Sequence, residues 1–192
     1  MPKWRSFPSM LPDVTVVNVI ASTKSDRQID LELLSTQLKY VDYEPEIFPG
    51  LIYRRRNPKT TIIIFSTGKI VSIGAKSEKN AKESILSTIS EITRIEGEKI
   101  RVGKIKIENV VAVSDIGYEI DVKNFANHKN NAAFRPRRFS GVIYRTKDNM
   151  VVLIFRSGKL ISLGAKSEQQ AKSAIYSTYR TLIELGCIIG RR

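Results

Sequence analysis

FPGLIYRRRNPKTTIIIFSTGKIVSIGAK, residues Phe48–Lys76, is the stretch on which the fold turns, because it returns as FSGVIYRTKDNMVVLIFRSGKLISLGAK at Phe139–Lys166. Each copy reads as three short strands: an apolar run ending at Arg54 or Arg145, a β-branched run ending at Phe65 or Phe155, and a third run after a Ser/Thr-Gly-Lys turn. Turn residues between apolar runs signal a meander. A chain that duplicates one β-rich unit packs the copies side by side, so each position with a chemical role is expected to occur twice.

Working outward, VTVVNVIAST from Val14 is β-branched enough for a strand. DLELLSTQLK has Leu31, Leu34 and Leu38 at helical spacing, with Asp30 as its N-cap. Past Lys76, Ser77 caps a long amphipathic helix with apolar Ala81, Ile85, Ile89 and Ile92. The same order recurs 91 residues later, from Asn18 to Asn109 and from Phe48 to Phe139. Beyond the hairpin at Pro58 the offset falls to 90, as from Phe65 to Phe155, so one residue is lost in a surface turn. The second long helix begins at Ser167, with Gln170 completing a capping box and Ala171, Ile175, Thr178, Leu182 and Leu185 forming its stripe. These signals divide the chain into a basic tail at 1–13 that carries Trp4, repeats at 14–96 and 105–187, a linker at 97–104 and a tail at 188–192.

The 192 residues carry a formal charge of +13 and an isoelectric point near 9.9, which points to a polyanionic partner, nucleic acid or an acidic membrane surface. A single cysteine, Cys187, in an apolar context reads as core packing and excludes a disulfide within the chain. No apolar run approaches the roughly 18 residues of a membrane span, and Met1–Met10 lacks a signal-peptide core, so an intracellular protein is expected. Catalysis finds no support. Gly74-Ala75-Lys76-Ser77 lacks the glycine spacing of a phosphate loop, His128 has no partner for a metal, and Asp30 and Asp121 read as helix caps. No cofactor and no metal are expected.

If the repeats pair edge to edge, a ten-stranded antiparallel sheet results, with helices on one face. A sheet wetted on its other face should alternate polar and apolar residues. Here Thr61–Phe65 and Val151–Phe155 are apolar almost throughout. Either another layer covers the second face, or that face is an apolar binding surface.

YEPEIFPGLIYR followed by IIIFSTGKIVSIGAKS resembles the signature of the TATA-box-binding protein family, and the resemblance spans both repeats, from Val14 to Leu185. It implies an α+β fold in which two tandem pseudo-symmetric repeats form a ten-stranded, saddle-shaped sheet with helices on its convex face. It also implies binding and bending of the minor groove of A·T-rich promoter DNA, as a monomer, to nucleate transcription. By the same resemblance Phe48 and Phe65 would insert at one end of the site, and Phe139 and Phe155 at the other. Asn18 and Asn109 match the family's central asparagines, whose amides reach groove acceptors; alternatively, an asparagine inside such a strand satisfies a bulge or strand end. Counted in twos from these positions, Ile20, Val111, Val71, Ile161, Ile63 and Leu153 would line the groove. Arg54, Lys69, Arg145 and Lys159 recur at equivalent sites as candidates for phosphate contact.

The chain also departs from the family pattern. Ile73 and Leu163 stand where the family has threonines at the groove centre, and Ser72 and Ser162 fall on neighbouring positions expected to face the helices. The first stirrup loop keeps Glu44 and Glu46, whereas the second has Arg135 and Arg137 where the family is acidic and meets transcription factor B. That partner is expected to bind differently or not at all. Three roles are consistent with these residues: a promoter-recognition factor, a weakly selective architectural or promoter-blocking paralogue, and an accessory module of repair enzymes. The last would call for a catalytic domain, and none is expected within these residues.

Overall fold

The structure is a computed structural model that describes residues 11–191. Trp4 with the rest of the expected tail before Leu11, and Arg192, lie outside the described residues. The elements follow in the order β1 (Thr15–Lys24), α1 (Leu31–Gln37), β2 (Val41–Asp42), β3 (Gly50–Arg56), β4 (Lys59–Phe65), β5 (Lys69–Ala75) and α2 (Glu78–Glu96). After these come β6 (Lys106–Asp115), β7 (Tyr118–Ile120), α3 (Val122–His128), β8 (Ala132–Phe134), β9 (Val142–Arg145), β10 (Val151–Ile154), β11 (Lys159–Ala165), α4 (Glu168–Glu184) and β12 (Ile188–Arg191). Ten strands hydrogen-bond in the order β2-β3-β4-β5-β1-β6-β11-β10-β9-β8. The chain forms two compact units, one of Val16–Val111 with Ala165–Glu168, the other of Ala112–Gly164 and Gln169–Arg192 with the residues up to Thr15.

Local chemistry sets the helix boundaries. The Asp30 carboxylate accepts from the N–H of Leu33, the Ser77 hydroxyl from Asn80 and the Asp121 carboxylate from Asn124, each satisfying an amide that the first helical turn leaves unpaired. Gly97 ends α2 in the left-handed conformation at φ 71°, which a Cβ disfavours. Within the first unit α2 buries Ala81, Ile85, Ile89 and Ile92 against β4 and β5, and α1 buries Leu31 and Leu34. Within the second unit Phe125 of α3 meets Tyr144 of β9 edge to face at 5.2 Å, while α4 buries Ala171, Ile175, Thr178 and Leu182. Fully burying each Leu, Ile or Phe contributes about 1.5–3 kcal/mol, which makes these stripes the main source of stability.

Burial alternates in each strand although hydropathy does not. In the first unit Leu51, Ile62, Ile64, Ile70 and Ser72 are buried, while Ile52, Ile63, Phe65, Val71 and Ile73 between them stay half-exposed. In the second unit Val142, Val152, Ile154, Leu160 and Ser162 are buried, and Leu153, Phe155, Ile161 and Leu163 half-exposed. Each unit therefore keeps one partly wet face of aliphatic side chains, the apolar-surface alternative of the two that the sequence left open.

The connection at 97–104 is held down: Gly103 donates to the Lys24 carbonyl at 3.0 Å, Asp26 to that of Arg101 at 3.0 Å, and Ile100 is buried. One expectation about the connections needs correction. Residues 188–191 are not a tail but a strand, β12, which pairs with β7. The edge of β7 needs a partner for its peptide groups, and Ile188 supplies buried apolar contact as it docks.

Candidate nucleic-acid interface

All ten groove-lining candidates lie among the half-exposed positions. In the first unit these are Asn18, Ile20, Ile63, Val71 and Ile73, with Asn109 and Val111 of β6; in the second they are Leu153, Ile161 and Leu163. Ser72 and Ser162 are fully buried on the helix-covered side, and their hydroxyls find no hydrogen-bond partner among the described residues. The strand register thus leaves aliphatic Ile73 and Leu163 on the half-exposed face, and the neighbouring hydroxyls cannot reach it.

Asn18 owes its orientation to a bulge. The register of β1 against β5 shifts between Val19 and Ala21, and Gly74 occupies the left-handed region at φ 90°. That turn removes the Gly74 N–H from the strand ladder, and the Asn18 Oδ1 accepts it at 2.9 Å. Because the partner is a donor, the accepting atom has to be the oxygen, and Nδ2 with its two N–H groups remains on the other side of the amide. Gly164 repeats the conformation at φ 91°. Lys76 donates to the Val17 carbonyl at 2.8 Å and Lys166 to the Glu108 carbonyl at 2.6 Å, which ties down the backbone just before each asparagine.

The phenylalanines come together in pairs. Phe48 and Phe65 meet with ring centroids 5.9 Å apart, Phe139 and Phe155 at 5.5 Å, both edge to face. Each pair rests on a glycine. A Cβ on Gly50 would lie 2.8 Å from the Phe48 ring and 3.1 Å from that of Phe65; one on Gly141 would lie 2.9 Å from the Ile154 carbonyl oxygen and 3.0 Å from the Phe139 ring. Gly50 and Gly141 thus make room for the paired rings, positions that the motif contained but whose packing role only the structure discloses.

The basic candidates differ from one another. Lys69, Lys159 and Arg145 are exposed, and Arg54 sits 3.9 Å from Asp42. Glu108 of β6, not singled out in the sequence, accepts from the hydroxyl of Ser22 on β1 at 2.6 Å. That hydrogen bond, followed by the charges of Lys166, Lys106 and Lys69, holds its carboxyl below the usual carboxylate range. Ser22 and Glu108 lie 86 residues apart, so no local pattern could have paired them.

The stirrup loops are built alike and charged oppositely. In the first, Ile47 and Phe48 donate to the Glu44 carbonyl; in the second, Arg138 and Phe139 donate to that of Arg135, all at 2.9 Å. Glu44 and Glu46 are exposed in one and Arg135, Arg137 and Arg138 in the other. Burial pushes the Cys187 thiol up, with the Asp121 charge adding to it, as suits a packing residue.

The family described as "Transcription factor TFIID (or TATA-binding protein, TBP)" matches residues 13–95 and 104–185. The TATA-box-binding protein of Methanocaldococcus jannaschii is 40% identical over 177 residues, covering 92% of this chain and 97% of that protein. That of Methanothermobacter thermautotrophicus is 36% identical over 177 residues, covering 92% and 98%. The solved structure titled "Methanococcus jannaschii TBP" superimposes with a TM-score of 0.78, covering 90% of this chain and 99% of that one.

Proposed function

From its membership of the TATA-box-binding protein family, we propose that this chain binds the minor groove of A·T-rich promoter DNA, bends it and so nucleates transcription initiation. The family is one of non-enzymatic DNA-binding transcription factors. The observation that carries the reading for this chain is the Asn18 amide. With Oδ1 committed to Gly74, what it offers a ligand is a pair of donors amid aliphatic side chains. A·T pairs display only acceptors in the minor groove, adenine N3 and thymine O2, whereas guanine adds an amino donor. Donors on an apolar surface therefore fit A·T steps and repel G·C.

A normal minor groove is too narrow for a sheet. Proteins of this kind pry steps apart with apolar wedges, at a cost of about a few kcal/mol per step, offset by the surface that the opened groove buries. Phe48 with Phe65 and Phe139 with Phe155 are the wedges in this reading, one pair per step. Arg54, Lys69, Arg145 and Lys159 take phosphates and fix the register. The working location is intracellular and on DNA.

Transcription factor B is the protein partner that the family would supply. Arginines in the second stirrup would face its basic surface with like charge, which costs several kcal/mol at an interface. We place recruitment, where it occurs, at Glu44 and Glu46 of the first stirrup.

The test combines selectivity with bending. At fixed salt the protein should prefer a TATA-like duplex to a G·C-rich one, and Phe139→Ala/Phe155→Ala should remove one kink in an energy-transfer assay while retaining much of the electrostatic affinity. Equal affinity for both duplexes would favour the architectural alternative. Unchanged bending in the double variant would sink the wedge assignment.

A further inference from the structure

Beside Phe139, within the second unit, lies an open trough of about 520 Å³ lined by Asn130, Arg135, Arg138, Ile143 and Arg145 among others. The corresponding hollow beside Phe48 is lined by Asp42, Glu44, Ile47 and Ile52 and measures about 240 Å³. One hollow thus carries three guanidinium groups where the other carries two carboxylates. Arg54 has Asp42 at 3.9 Å, whereas β8 places Ala133 at the position equivalent to Asp42, and Arg135, Arg138 and Arg145 form no ion pair among the described residues. Asn131 locks the floor: its main-chain carbonyl accepts from the Arg145 N–H at 3.0 Å, and its side-chain amide donates back to the Arg145 carbonyl.

We propose that this trough grips the phosphate backbone of the duplex that flanks the step opened by Phe139 and Phe155, an extended DNA-binding site present beside the second repeat only. The proposal rests on the DNA-binding reading above and adds to it. Phe139, Ile143 and Arg145 belong at once to the trough and to the half-exposed sheet surface, so whatever lies on that surface continues into the trough. Guanidinium forks match phosphate oxygens in pairs, and an open basic channel with asparagine donors suits a continuous backbone. An acidic peptide is the less suitable occupant. Stable protein docking needs buried aromatic or aliphatic anchors, and beyond Phe139 and Ile143, already committed to the sheet surface, the lining offers only Gly141, Ala132 and Ala133 as apolar residues.

The experiment measures affinity against salt concentration for Arg135→Gln/Arg138→Gln on two duplexes, one with long flanks and one trimmed to the bound site. Each phosphate contact contributes about 0.9 to the slope of log affinity against log salt, so the double variant should lose about two from that slope on the long duplex. On the trimmed duplex it should match the unaltered protein. Arg137→Gln, exposed but outside the trough, should change the slope little on either. Equal slopes for the double variant and the unaltered protein on the long duplex would overturn the proposal, as would an equal loss on the trimmed one. So would a labelled oligoglutamate peptide that binds the DNA-loaded protein and is released by the double substitution. If the unaltered protein bound neither duplex, the DNA-binding reading itself would fail, a result these outcomes cannot imitate.

Discussion

At Ile73 and Leu163 a side-chain methyl occupies what the family pattern makes a hydroxyl, while Ser72 and Ser162 are sealed beneath the helices. In the proposed binding mode the centre of the groove would lack two hydrogen bonds, each worth about 1 kcal/mol. Ile73→Thr/Leu163→Thr should therefore sharpen discrimination between a TATA-like site and variants at its central steps, read by competition binding. No gain would mean that these residues do not face the centre. The two supporting glycines make a contrast at the same scale. In Gly141→Ala the new Cβ meets the main-chain oxygen of Ile154, which cannot swing aside, so a loss of about 1–3 kcal/mol is expected on urea unfolding. Gly50→Ala meets only side chains, those of Phe48, Ile63 and Phe65; it should cost less stability but, if these rings are the wedges proposed, displace one and reduce bending. Equal unfolding midpoints for Gly141→Ala and the unaltered protein would contradict the close approach.

Among elements, β12 has the least local support. Its sequence IIGR holds two β-branched residues, a glycine and a charge, too little to announce a strand, yet it pairs with β7 and buries Ile188, next to the buried Cys187. Removing residues 188–192 should cost about 2 kcal/mol for the lost isoleucine. It should also expose the thiol, so that a maleimide labels the truncated protein much faster than the full chain, in which burial keeps Cys187 protonated. Equal labelling rates would show that β12 does not shield that side of the second unit. The helices behave differently, since Asp30, Ser77 and Asp121 sit at their N-caps as residue type and spacing require.

For the whole molecule, the net charge of +13 is less informative than its placement. One stirrup presents Glu44 and Glu46, the other Arg135, Arg137 and Arg138, on turns of the same geometry. The expected outcome with a B-type transcription factor on saturating promoter DNA is that Glu44→Arg/Glu46→Arg abolishes the ternary complex in a gel shift and Arg135→Glu/Arg137→Glu leaves it in place. Retention in the first variant with loss in the second would refute the charge argument.

The sequence by itself determined the duplication, the strands and helices that recur in both repeats, the caps and the paired phenylalanine and asparagine positions, because each of these is a local signal, a residue type at a fixed spacing, written twice. Hydropathy did not determine which face of each strand is open, since strands apolar at nearly every position carry no alternation to read; that face was legible only by counting in twos from the positions that match the family. Tertiary structure decided that face, through the helices that cover the other one. Nor could spacing show that Asn18 commits its oxygen to Gly74, that Ser22 meets Glu108, that Gly50 and Gly141 make room for rings, or that β12 completes the edge of β7. Those are pairings between residues far apart in the chain, which exist only once strand register has brought them together.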